Sequence, residues 1–153
     1  MIEAAKKNSI WLQVLLLLAA VLAAYSNSFD GVFVFDDHDS IIGNSTIKEP
    51  WDFWQALLPE PSSTVSGRPL TNLTLALCYW VFGLEPLGYH VVNLAIHFAA
   101  GLSLYLLARM ILSLPRYSGL LGSDEETGKA QGRAGWAAFF ISLLWLLHPV
   151  QTE

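Results

Sequence analysis

Residues 89–114, YHVVNLAIHFAAGLSLYLLARMILSL, decide how this chain is read. The run holds one charged residue, Arg109, and closes at Pro115. As a helix it would be about 39 Å long, more than the roughly 30 Å of a hydrocarbon core. Working outward, Ile10 to Tyr25 is a second uncharged run behind Lys6 and Lys7, and Trp136 to Leu147 is a third. The composition agrees, since 54% of the 153 residues are hydrophobic and only 14% charged. Soluble domains carry about a quarter charged residues. The expectation is an all-α integral membrane chain with about three transmembrane helices, over 9–25, 89–114 and 135–147. The first run also has the outline of a signal peptide, with Ala23 and Ala24 near a cleavage site. The spans that follow favour a retained anchor.

A formal charge of −5 without a Lys/Arg cluster excludes a nucleic-acid partner. The single Cys78 excludes an intramolecular disulfide and a cysteine-rich metal site. Six Trp suit membrane interfaces, where indole has one dry and one wet side. Between the first two spans lies a polar, mostly acidic loop, 26–88. Within it, Pro50 to Leu58 reads as a short helix with Trp51, Trp54, Leu57 and Leu58 on one side. Residues 70–82 are apolar but stopped by Gly83 and Pro86, too short to cross. Periodicity alone fits 50–58 equally to a loop helix packed on other protein, and 70–82 is interfacial or re-entrant. The expectation is that both, 50–58 and 70–82, lie at the interface. Lys6, Lys7, Arg109, Arg116, Lys129 and Arg133 then fall on one side, opposite only Lys48 and Arg68. The bias of Lys and Arg towards the cytoplasm makes 115–134 a cytoplasmic loop. It puts 26–88 and 148–153 on the extracytoplasmic face.

Charge concentrates in Phe33-Val-Phe-Asp-Asp-His-Asp-Ser40. Carboxylates packed beside apolar sequence repel one another and need water or a chemical task. A solvated acidic turn is the plain reading, and a catalytic acid pair, Asp36 and Asp37, is the pointed one. Asp36, Asp37, His38, Asp39 and His90 are residue types that bind divalent metals, with no spacing that specifies a site. Arg68, just before Pro69, is a candidate phosphate anchor or a snorkelling interfacial arginine. His90, Asn93 and His97 make one stripe with Gly101 on the 89–114 helix. His90 lies nearer the acidic loop and is the better candidate for chemistry; Asn93 and His97 divide evenly between function and helix–helix bonding. His148 and Glu153, at the other extracytoplasmic segment, are candidate substrate contacts. Asn44 and Asn72 each open an Asn-x-Thr glycosylation triplet.

Four segments in order carry a resemblance: Tyr25-Ser-Asn-Ser-Phe29 with Phe33-Val-Phe-Asp-Asp37, Gly67-Arg-Pro-Leu-Thr71, Gly88-Tyr-His-Val-Val-Asn-Leu-Ala-Ile-His97 and Leu147-His-Pro-Val-Gln-Thr-Glu153. Together they resemble the N-terminal part of the transmembrane and tetratricopeptide-repeat proteins. That family belongs to the C-type glycosyltransferase superfamily and is related to the protein O-mannosyltransferases. The resemblance covers the chain except for 116–134. It implies a multi-span helical enzyme that moves a sugar, mannose or another hexose, from a polyprenyl- or dolichyl-phosphate carrier. The implied acceptor is a hydroxyl of a protein, such as Ser or Thr, or of a glycan, on the extracytoplasmic side of a bacterial inner membrane or endoplasmic reticulum. The acid pair of that family lies in the first outer loop, where Asp36 and Asp37 fall. A carboxylate there would take the acceptor's proton, with Arg68 or a bound metal stabilising the leaving phosphate. The residues do not say which Asp is the base. Only three spans and no tetratricopeptide repeats are present, so these residues alone are expected to be inactive. Two other classes compete: a membrane scaffold whose acidic loop binds a partner, and a transporter piece with His90 and His97 as a proton relay.

Overall fold

The computed structural model describes residues 2–49, 52–118 and 127–148, with side chains for 9–49, 52–114, 116–117 and 131–148. Among them the ordered elements are all helical: α1 (Ile2–Ala24), α2 (Phe53–Ala56), α3 (Pro69–Phe82), α4 (Pro86–Leu112), α5 (Pro115–Ser118) and α6 (Thr127–Leu146). Single helical turns occupy Ser26–Asp30, His38–Ile42 and Ser45–Ile47. The chain divides into two compact units, one of Met1–Ser26 with Ala95–Glu153 and one of Asn27–Leu94.

Helix ends depart from the expected ranges for local reasons. α1 reaches back to Ile2 because Glu3, Ala4, Ala5 and Lys6 are strong helix formers, though charged. α4 starts at Pro86 rather than Tyr89, since proline suits a first helical position, where its missing N–H has no role. α6 begins at Thr127, so the second half of the expected 115–134 loop is helical. The short helix expected over 50–58 shrinks to Phe53–Ala56. There Asp52 caps the start by accepting from the Gln55 N–H at 2.9 Å. Of the residues expected on one side, Trp54 and Leu58 are exposed and Leu57 is half-buried, while Pro50 and Trp51 lie outside the described residues.

Three stripes at i+4 spacing build the unit of Met1–Ser26 and Ala95–Glu153. On α1, Gln13, Leu17 and Val21 are buried; on α4, Gly101 and Tyr105; on α6, Ala134, Ala138, Ser142 and Leu146. Residues four apart share a helix face, and small ones let backbones approach. A Cβ on Gly101 would stand only 2.5 Å from Leu146 Cγ, so this crossing requires glycine. Large apolar side chains turn outward instead, including Leu15, Leu106, Met110 and Leu144. Among the described residues α4 is the one helix long and apolar enough to cross a membrane; Ser9–Ala24 and Pro69–Phe82 are shorter apolar stretches. Only 11% of the most apolar window of α4 is buried, unlike the core helix of a soluble protein.

The unit of Asn27–Leu94 has a small core of Ile41, Ile47, Ala56, Ala76, Cys78 and Tyr89, with Phe33, Leu73 and Trp80 packed against it. It folds the turns at 38–47 and α2 onto α3. The Trp80 indole N–H donates to the Ile47 carbonyl at 2.9 Å, fixing one contact of this core.

Candidate functional site

The acid pair sits on a built turn rather than a loose loop. The Asp37 N–H donates to the Val34 carbonyl at 3.0 Å, and Asp37 Oδ2 accepts from the Val34 N–H at 3.0 Å. This reciprocal pair encloses Phe35 and Asp36, and Phe35 has φ +45°, a left-handed conformation costly for a bulky side chain. It leaves the Phe35 ring 90% exposed. Beyond the turn, His38–Ile42 forms a π turn closed by the Gly43 N–H on the His38 carbonyl at 2.7 Å. Such turns are often found at functional sites.

The two carboxylates are not equivalent. Asp37 is half-buried and spends one oxygen on the turn, whereas Asp36 is exposed and accepts no hydrogen bond among the described residues. Behind the turn, the start of α4 braces its stem. Phe33 meets Tyr89 edge to face, ring centroids 5.3 Å apart. A Cβ on Gly31 would lie 2.9 Å from His90 Nε2, so the imidazole rests on the bare backbone there. That buried nitrogen has no hydrogen-bond partner among the described residues. His90 is therefore joined to the stem of the acidic segment, not to its carboxylates. Asp36, Asp37, His38, Asp39 and His90 do not gather into a metal-binding group among the described residues. His38 and Asp39 point outward to solvent.

Arg68 occupies the position before α3 with an exposed guanidinium that makes no hydrogen bond or ion pair among the described residues. His148 is exposed after the end of α6, and Glu153 lies outside the described residues. Asn93 is exposed. His97 has a structural partner: its Nε2 lies 3.0 Å from the Leu146 carbonyl, which also accepts from the Tyr25 hydroxyl at 2.8 Å. A carbonyl only accepts, so His97 Nε2 carries the proton. The ring stacks on Trp145 and meets Tyr25 edge-on, which fits helix–helix bonding.

Reading the sequence missed two features. The left-handed Phe35 leaves no signal, because nothing in its residue type announces φ > 0. A buried cluster of Gln13, Tyr105 and Arg109 did leave one, as the polar groups of two apolar runs. The Tyr105 hydroxyl donates to Gln13 Oε1 at 2.6 Å and accepts from Arg109 Nη1 at 2.8 Å.

Comparison with known proteins agrees with the motifs. The chain is 36% identical over 143 residues, 86% of its length, to the mouse protein O-mannosyl-transferase TMTC4. It is 33% identical over 150 residues, 93% of its length, to Drosophila melanogaster protein O-mannosyl-transferase Tmtc3. Caenorhabditis elegans protein O-mannosyl-transferase F38B6.6 is 31% identical over 147 residues, 91% of the chain. The matches take up 18%, 16% and 19% of these relatives, so the chain spans less than a fifth of their length. No protein-family model and no solved structure matches it. Over nearly all of its length, the chain is a relative of the TMTC protein O-mannosyl-transferases, corresponding to one segment of them.

Proposed function

We propose that this chain forms the acceptor-activating segment of a membrane glycosyltransferase. The transferase moves a hexose, mannose by analogy with its relatives' names, from a polyprenyl- or dolichyl-phosphate to a protein hydroxyl. The observation that carries the reading is the contrast within the acid pair. Asp37 shapes the turn through Val34, and Asp36 is left open to an incoming hydroxyl. As the acceptor oxygen bonds to the sugar C1, its proton passes to the Asp36 carboxylate, and the C1–O bond to the carrier phosphate breaks. The Arg68 guanidinium neutralises the departing phosphate. His90, whose buried ring nitrogen has no hydrogen-bond partner among the described residues, holds a polar group of a substrate; His148 and Glu153 are further proposed substrate contacts, each taken on its own segment.

The membrane setting is part of the same proposal. α1, α4 and α6 cross the bilayer, residues 26–88 and 148–153 emerge on the extracytoplasmic face, and α2 and α3 rest at the interface. The outward apolar side chains and inward polar contacts of the three long helices support this arrangement. The test is sugar transfer by full-length protein in membrane vesicles, with radiolabelled mannose supplied on a lipid phosphate or on a nucleotide. The expected result is label on a Ser/Thr peptide from the lipid donor alone. Transfer from the nucleotide donor in vesicles unable to make the lipid donor would contradict the proposal.

A further inference from the structure

The two Asn-x-Thr triplets are the only sites in the chain that a glycan-adding enzyme would recognise by sequence. Both asparagines are interior: Asn44 is 1% exposed and Asn72 0%. They bond to each other, Asn44 Nδ2 donating to Asn72 Oδ1 at 2.8 Å. The second hydrogen of Asn44 Nδ2 goes to the Ser40 carbonyl at 2.9 Å. Asn72 Nδ2 donates to Thr46 Oγ1 at 2.9 Å and to the Ala56 carbonyl at 2.8 Å. Asn44 Oδ1 accepts from the Thr46 N–H at 3.0 Å and the Thr46 hydroxyl at 2.7 Å. A backbone N–H only donates and a carbonyl only accepts, so these partners fix both amide orientations.

Four N–H bonds of two amides are thus fully used in tying three stretches together: the 38–47 turns, the end of α2 and the first turn of α3. Attaching a glycan replaces one of these N–H bonds with a bond to a sugar carbon, in a place closed to water. A buried polar partner left without its bond costs more than the bond contributes. From this network we infer that the two triplets are not glycan acceptors in the native protein. They are a polar lock that folds the segment bearing Ser40 onto α3, and glycan and lock exclude each other. The chain meets the glycosylation machinery, by the proposed topology, only before the lock closes.

The triplets offer a clean separation. Thr74→Ala destroys the Asn72 triplet without touching the lock, since the Thr74 hydroxyl bonds only the Leu70 carbonyl of its own helix, at 2.9 Å. Thr46→Val destroys the Asn44 triplet and removes two bonds of the lock as well. Each variant of the full chain is expressed into animal endoplasmic-reticulum membranes, treated with endoglycosidase, extracted in detergent and digested with trypsin. Expected are no mobility change on deglycosylating wild type, wild-type trypsin resistance for Thr74→Ala, and about tenfold faster cleavage for Thr46→Val. Ser62→Asn creates an Asn-Ser-Thr triplet at an exposed position and reports only which face the segment occupies. The comparison of Thr74→Ala with Thr46→Val decides the lock on either face. Glycan on Asn44 or Asn72 of trypsin-resistant wild type would overturn the inference. So would Thr46→Val as resistant as Thr74→Ala.

Discussion

The two units bury polar groups in opposite settings. In the long-helix unit, the outward surface is apolar and polar bonds are isolated stitches: Tyr105 to Gln13, and Tyr25 and His97 to the Leu146 carbonyl. In the unit of Asn27–Leu94, the helices are short and a continuous amide network lies beside an apolar core. Where every backbone group is satisfied inside its own helix, side-chain bonds are needed only to set helix against helix. Where the chain turns repeatedly, freed N–H and C=O groups must be satisfied by side chains such as Asn44. The second solution fixes irregular backbone in place, which is what a strained turn presenting Asp36 requires.

If this contrast is sound, damage should stay in the unit that receives it. The largest stability loss is expected from Gly101→Val, which drives a branched side chain into buried Leu146. Overpacking of this kind costs about 1–3 kcal/mol. Thermal unfolding of the purified chain in detergent should show it, while trypsin cleavage within 27–94 stays unchanged. Faster cleavage there would break the comparison.

Tyr105→Phe comes next. It removes one bond each from Gln13 Oε1 and Arg109 Nη1, which keep only their own long contact of 3.5 Å among the described residues, a loss of about 1–3 kcal/mol in a water-referenced protein. Bonds between membrane helices average nearer 0.6 kcal/mol, because the separated helices find other partners. A midpoint shift matching the smaller figure would sharpen the bilayer reading of this unit, and the larger figure would count against it.

Much of this was legible in advance. The run of 89–114 stands out because it is long and holds a single charge, and among the described residues α4 is the helix long and apolar enough to cross a membrane. The acid pair stands out because carboxylates are scarce beside apolar sequence. Its inequality was hidden, since Asp36 and Asp37 differ only in which one reaches back to the Val34 N–H, a matter of backbone dihedrals. Helix ends were misplaced where a cap or proline outweighed the hydrophobic pattern, at Asp52 and Pro86. Asn44 and Asn72 showed in the sequence only as glycosylation triplets, because sequence spacing does not show that two distant amides meet.

Smaller effects probe the acidic turn and the core beneath it. Phe35→Gly removes the left-handed strain of about 1–2 kcal/mol but gives back some of it as chain entropy. The exposed ring contributes no packing to recover, so stability should change by less than about 1 kcal/mol. A larger loss would mean the ring is covered in the full protein. Smallest is the pH response of Cys78, whose thiol burial pushes up. The unfolded chain ionises first, so this contribution is full below the ordinary thiol range and declines as pH rises through it. Maleimide labelling at pH 8 should be slow in the folded chain and fast in urea.

The central claim is that Asp36 accepts the proton while Asp37 holds the turn. Labelled-mannose transfer by full-length protein carrying Asp36→Asn, Asp37→Asn or Asp39→Asn tests it directly. Asp36→Asn should lower the rate by about 10²–10⁴, the usual worth of a general base. Asp37→Asn should lose much less, because an amide oxygen still accepts from the Val34 N–H. Asp39→Asn, with the same charge change two and three residues on, should transfer at nearly the wild-type rate. Wild-type transfer by Asp36→Asn, or an equal loss at all three positions, would contradict the account.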